Sequence, residues 1–176
     1  YVSTEIDLNK ICVQAKIWKA EHNIQILYID YLQLISVPGV KSREQEVATS
    51  SKRLKQLAKE LDIPIVAIAS LNRSVEMRGG YKRPMMSDLI GSGQIEFDAD
   101  LIGFVWRPEM YGVMEDGEGV SHMNKVYLIL EKHRNGVTGD IKFDFIKHRM
   151  QWQNYTAVQV EAFVHYDREE DDNDFL

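Results

Sequence analysis

Apolar positions along this chain fall into two spacings, and the change from one to the other marks out the predicted elements. Over residues 4–22, Leu8, Ile11, Cys12, Ala15 and Trp18 stand three to four apart, which predicts a helix with one buried stripe. The next run, IQILYI at residues 24–29, has five apolar residues in six. So little polar alternation predicts a strand covered on both faces, as in a parallel sheet. After a loop at 37–41, Ser42 is placed to cap a second helix, with Gln45 three residues on to complete a capping box. Val47, Leu54, Leu57 and Leu61 form the stripe of that helix, while Lys52, Arg53, Lys55 and Lys59 fall mostly outside it and read as solvated surface. PIVAIA at 64–69 predicts a second apolar strand, entered through a proline that a strand start tolerates. Strand, helix and strand at this spacing make a βαβ unit, expected to be parallel and right-handed.

A polar stretch, 71–92, separates this unit from a third apolar run, 101–106. The loop at 107–124 is rich in glycine and acids and is expected to be mobile. Residues 125–131 and 140–146 then alternate, with Ile141, Phe143 and Phe145 on one face and Lys142 and Asp144 on the other. The glycine-rich NGVTG at 135–139 joins them, which predicts an antiparallel hairpin, with 151–154 as a short edge strand. The predicted fold class is α/β: a mostly parallel sheet flanked by helices, with an antiparallel hairpin at one end.

The composition fits one domain, or one large piece of one: 176 residues, 44% apolar and 27% charged. No apolar run approaches the ~20 residues that span a bilayer, and no signal peptide is visible, so no membrane partner is expected. The sole cysteine, Cys12, excludes an intramolecular disulfide and suits a reducing cytosol, so a cytoplasmic location is predicted. A net charge of −6 argues against wrapping nucleic acid over the whole surface. Much of that charge lies in DREEDDNDFL at 167–176, and the expected division is a body over 1–155 and an acidic, disordered tail over 156–176. A chain beginning at Tyr1 rather than Met leads to the expectation of an upstream portion.

Asp30 directly follows the first strand, where parallel sheets build their ligand sites. A carboxylate there suits a magnesium ion that neutralises nucleotide phosphates; the alternative is an aspartate that caps the following turn. Ser70 and Arg107 follow the second and third strands, and adjacent parallel strands would line all three residues along one rim. Ser70 lacks a G-x-S-x-G elbow, so it reads as a polar group that senses a phosphate or an attacking water rather than as a nucleophile. Glu96, Asp98 and Asp100 alternate and could bind metals as in a nuclease; a helix-to-strand junction is the favoured reading. His22, His122, His133, His148 and His165 show no zinc-ligand spacing. Lys132 and Arg134, two apart at the end of a hairpin strand, suit a phosphate clamp or an exposed surface pair.

Five segments together resemble the DnaB-type replicative DNA helicases in order, type and spacing, over residues 8–155. They are IDYLQLIS at 29–36, SREQEVATSSKRLKQLAKELDIPIVAIASLNRSVE at 42–76, KRPMMSDL at 82–89, SGQIEFDADLIGFVWRPEMY at 92–111 and KHRNGVTGDI at 132–141. The resemblance implies a RecA-like motor domain of a homohexameric ring that unwinds duplex DNA with ATP hydrolysis. It implies that Asp30 is the Walker B aspartate holding magnesium through water, and that Arg134 is an arginine finger reaching the γ-phosphate on a neighbouring subunit, with Lys132 its companion. Residues 82–93 match a loop facing the central channel, where single-stranded DNA backbone is gripped. With the cations just before it, the expected DNA-binding set is Arg73, Arg78, Lys82, Arg83, Ser92 and Gly93. A primase and a helicase loader are the implied partners.

Three departures stand out. Ser70 replaces the family's glutamine, a sensor coupling nucleotide state to DNA; Ile90-Gly91 replaces Arg-Glu; Phe97 replaces a glutamine. No G-x-x-x-x-G-K-[ST] phosphate loop occurs in the chain, and the family's catalytic glutamate precedes it. The expected reading is therefore the carboxyl-terminal half of a helicase motor, inactive toward ATP by itself. A degenerate homologue that binds DNA or forms rings without catalysis is the alternative, and a recombinase-type ATPase a weaker one.

Overall fold

The structure is a computed structural model that describes residues 1–155; the expected tail, 156–176, lies outside the described residues. Two compact units divide the chain, Tyr1–Ile102 and a second from Gly103 on.

In the first unit, α1 (Leu8–His22) starts four residues later than the periodicity predicts. Asp7 takes the N-cap, its Oδ1 accepting from Asn9 N at 2.9 Å and Lys10 N at 3.2 Å. The residues before it are drawn into extended pairing instead: Ser36 N donates to Ile6 O and Leu8 N to Ser36 O. Of the expected stripe, Leu8, Cys12 and Ala15 are in the core, while Ile11 and Trp18 are half-buried. β1 (Leu27–Ile29) and β2 (Ile65–Ala67) pair in parallel, Leu27 opposite Ile65 and Ile29 opposite Ala67. Between them runs α2 (Arg43–Leu61), which buries Val47, Ser50, Leu54 and Leu57. The expected capping box is not made: the Ser42 hydroxyl turns to Glu44 Oε2 at 2.5 Å, and no side chain caps α2.

The expectation that β1 is covered on both faces also fails. Leu27 is buried, but Tyr28 is 66% exposed, and Val66 of the neighbouring strand and Ile68 just beyond it are open too. The described residues supply cover for one face of this two-stranded sheet only. Beyond β2, α3 (Ser74–Met77) and α4 (Ser92–Asp98) bracket the polar stretch.

β3 (Leu101–Trp106) is not the third strand of the parallel sheet. It neighbours β4 in a four-stranded sheet of order β3-β4-β5-β6. Its residues alternate, Ile102, Phe104 and Trp106 being buried while Leu101 and Val105 stay exposed, which is the habit of a strand with one packed face. Arg107 therefore follows a strand of a different sheet from the one whose strands Asp30 and Ser70 follow. β4 (Lys125–His133) and β5 (Gly139–Ile146) make the expected antiparallel hairpin, and β6 (Gln151–Asn154) pairs with β5 as the edge.

The loop expected to be mobile is internally tied. Asp116 Oδ1 accepts from Glu118 N at 2.9 Å and Val120 N at 2.8 Å, and Glu115 bridges Ser121. At its start Glu109 accepts from Arg107 Nη2 at 2.6 Å and Asn124 N at 3.0 Å, with Lys147 Nζ at 3.1 Å. The acidic trio resolves as the junction reading has it. Asp98 Oδ2 accepts from Ser51 Oγ and Gln94 Nε2, both at 2.9 Å, and Asp100 pairs with Lys55, so the three carboxylates do not converge.

Candidate functional site

β1 ends at Ile29, and Asp30 follows it, exposed, on the wall of a cavity of about 710 Å³ lined mostly by apolar groups. Among the described residues no hydrogen bond or ion pair engages its carboxylate. A single open carboxylate at a parallel strand end fits a magnesium ion held through water, because that ion keeps several of its waters and needs few protein ligands.

Past Asp30 the backbone turns into a short 3₁₀ helix, Leu32–Leu34, yet the pairing with β2 does not stop there. Ile68 N donates to Ile29 O at 2.9 Å and Leu32 N to Ile68 O at 2.8 Å. One step further, the Gln33 side chain takes over. Ser70 N donates to Gln33 Oε1 at 3.0 Å, and Gln33 Nε2 donates to Ser70 O at 3.2 Å. An amide presents a donor and an acceptor side by side, so it can stand in for one more rung of ladder. Gln33 is only 6% exposed, and it fixes the Ser70 peptide against the segment that carries Asp30. The Ser70 residue is itself exposed.

From Ser70 the chain enters the polar stretch, whose base is pinned. Leu71 bridges Leu89, and Asn72 N donates to Asp88 O at 2.7 Å. Asp88 is 3% exposed; its Oδ2 accepts from Met85 N at 2.8 Å, and its Oδ1 pairs with Arg78. Arg78 also donates to Arg83 O at 3.0 Å. Arg78, expected among the DNA contacts, is thus engaged inside its own loop as a clasp. Arg73 is exposed, Lys82 and Arg83 are half-buried, and Ser92 and Gly93 open α4, with Gly93 exposed.

Gly91 has a local reason that the sequence did not disclose. It caps α4 in the left-handed region, φ 74°, and a Cβ there would meet Val47 Cγ1 at 2.9 Å. A glutamate at this position would be both strained and crowded against α2.

In the second unit, Lys132 lies within β4 and Arg134 is the first residue of the turn beyond it. His133 stands between them. Its Nδ1 lies 3.3 Å from Val137 O, and its ring covers Gly136 so closely that a Cβ there would collide with Cε1 and Nδ1. The turn that presents Arg134 is therefore shaped by the ring of one neighbour and the missing side chain of another. At the other end of the hairpin, burial pushes Glu109 upward, but the Asn124 amide, Arg107 and Lys147 outweigh it and hold the carboxyl at about 2. Burial pushes the Tyr127 hydroxyl up to about 12, and it shares a 2.9 Å hydrogen bond with Nδ1 of buried His122.

The site residues that sequence reasoning missed are Gln33, Asp88 and Gly136. Gln33 gave one signal, a lone amide inside the apolar run YLQLI; Asp88 and Gly136 gave none that separates them from ordinary turn residues.

Comparison with known proteins bears on the family and the fold. The replicative DNA helicase DnaB of Buchnera aphidicola subsp. Baizongia pistaciae is 44% identical over 142 residues, 80% of this chain and 29% of its own length. That of Rickettsia typhi is 42% identical over 149 residues, 77% of this chain and 30% of its own. The chain thus spans under a third of the length of these curated relatives. Among solved structures, a DnaB-like replicative helicase, described with its interactions with primase, superposes with a TM-score of 0.76 at 35% identity, over 88% of this chain and 36% of that one. A second solved chain, an ATPase domain, superposes at 0.74 and 36% identity, over 85% and 51%. The fold is that of the DnaB-like helicase ATPase domains. A family model described as DnaB-like helicase C terminal domain matches residues 2–154, and to that family this chain belongs.

Proposed function

We propose that this chain is the carboxyl-terminal part of the motor domain of a replicative DNA helicase, an ATP-driven homohexamer that moves along single-stranded DNA and unwinds the duplex. The observation that carries the reading is the family match over residues 2–154, on a fold that leaves the Asp30 carboxylate open at the end of β1.

In this reading Asp30 would hold a magnesium ion through water, and that ion would supply charge neutralisation to the nucleotide phosphates. Ser70, fixed by Gln33, lies at the end of the neighbouring strand, where a polar group would sense the attacking water. Arg134 supplies its guanidinium to the γ-phosphate of a neighbouring subunit, and Lys132 adds a second cation. Arg73, Lys82, Arg83 and the α4 start at Ser92 and Gly93 grip the phosphate backbone, and Arg78 holds the loop in shape. Backbone contact suits a motor that must be indifferent to sequence. A primase and a loader are the expected protein partners, and the cytoplasm the expected location. Among the described residues no helix is long and apolar enough to cross a membrane.

The test is ATP turnover and strand separation by the full-length protein that carries this chain. Asp30→Asn and Arg134→Ala should each abolish turnover, by about a thousandfold or more for the arginine, with nucleotide binding retained by Arg134→Ala. Unchanged turnover in Arg134→Ala removes the finger assignment. A wild-type protein that binds single-stranded DNA in rings but hydrolyses no ATP favours the non-catalytic module instead.

A further inference from the structure

The loop between α3 and α4 has a fixed base and an open tip. At its base, Pro84 and Asp88 are buried, and the Arg78 guanidinium joins Asp88 to the Arg83 carbonyl, drawing residues 78 and 83 together. The four residues between them must reverse the chain in little space. Gly80 and Lys82 do so with positive φ, 73° and 48°. A Cβ added at Gly79 or Gly80 would meet no atom within 4 Å, so the tip stands clear of the rest of the unit.

On this tip the chain places an aromatic ring. Tyr81 is 46% exposed, and Met77 and Met85 on either side of the tip are exposed as well. A tyrosine between two flexible glycines and two cations, on a clasp held shut by the ion pair of half-buried Arg78 with buried Asp88, gains nothing for the core. Its surroundings are cationic although the chain is not. Residues 71–93 carry Arg73, Arg78, Lys82 and Arg83 against Glu76 and Asp88, in a chain of net charge −6. A local positive field with an exposed aromatic face is the chemistry that takes a polyanion with π-faces, namely unpaired nucleic acid.

We propose that Tyr81 is a stacking platform for an unpaired base of the strand that residues 82–93 grip. The inference rests on that DNA-gripping reading and adds to it a contact with base rather than backbone. Every base offers a π-face, so such a platform adds hold without adding sequence preference, and the methionines, being adaptable, accommodate purines and pyrimidines alike. The glycines let the ring follow a moving strand while the Arg78 clasp keeps its foot in place.

The experiment compares the full-length ring with its Tyr81→Ala, Tyr81→Phe and Tyr81→Trp variants. The probes are a labelled oligothymidylate and an abasic strand of the same length, read by fluorescence anisotropy across a salt series. Wild type should bind the base-bearing strand more tightly than the abasic one by about 5- to 160-fold, the range expected for one stacked base. Tyr81→Ala should bring that ratio close to one with the salt slope unchanged, and Phe and Trp should keep it. A ratio that stays the same in Tyr81→Ala overturns the inference and leaves the phosphate grip standing. Loss of the hexamer in Tyr81→Ala with the ratio unchanged also overturns it, and assigns the ring to a neighbouring subunit. No binding of either strand by wild type overturns the DNA-gripping reading, and this inference with it.

Discussion

Replacing Gln33 tests how the end of β1 is tied to the end of β2. The side chain makes two hydrogen bonds to one peptide, at 3.0 and 3.2 Å, across a sequence separation of 37 residues. Each bond is worth about 1 kcal/mol net, so Gln33→Met, which keeps the volume and loses both, should cost ~2 kcal/mol. Gln33→Ala adds the lost packing of a buried side chain and should cost ~3 kcal/mol. The assay is native-state amide hydrogen exchange. With the latch gone, Ser70 N–H has lost its acceptor, and ~2 kcal/mol of easier local opening means about 30-fold faster exchange there. The Leu32 amide, bonded to Ile68 O, is the internal control because its acceptor is untouched. Faster exchange at Ser70 with Leu32 nearly unchanged is the expected result. Equal acceleration at both sites would mean that Gln33 serves only general stability, and an unchanged Ser70 would refute the latch.

Three further substitutions probe the neighbouring devices. Gly91→Ala puts a Cβ 2.9 Å from Val47 Cγ1 at a left-handed φ and should cost about 1–3 kcal/mol in chemical denaturation, part of it recovered by Val47→Ala. Gly136→Ala must displace the His133 ring, so on the proposed finger role of Arg134 ATP turnover of the full-length protein should fall about 10-fold or more; unchanged turnover would sever the turn from that role. The Glu109 carboxyl is held at about 2, below its unfolded value, so its contribution is complete above pH ~4.5 and is lost as pH falls toward 2. Acid unfolding of Glu109→Gln should accordingly show a shallower pH dependence across that window.

What could be read from the chain, and what could not, divides by distance along it. The stripes of α1 and α2 were legible because a helix face is written within a few residues and burial follows it. The hairpin was legible because β4 and β5 alternate and the turn between them is rich in glycine. Two-sided cover of β1 was not, because cover comes from other layers, and an apolar run says only that cover is tolerable. The capping box failed for a reason even closer at hand: the Glu44 carboxylate, two residues on, competes for the Ser42 hydroxyl. Gln33 and Asp88 owe their roles to partners 37 and 10 residues away, which no local pattern marks. Gly91 sharpens the lesson. Against the family pattern it reads as a lost functional side chain, yet in the fold it is where the start of α4 comes within van der Waals reach of α2. If the Val47 contact sets that residue, the departure at position 91 follows from packing. The departures that this packing does not explain are then Ser70, Ile90 and Phe97, and at Ser70 the backbone, through Gln33, is held even though the side chain is short.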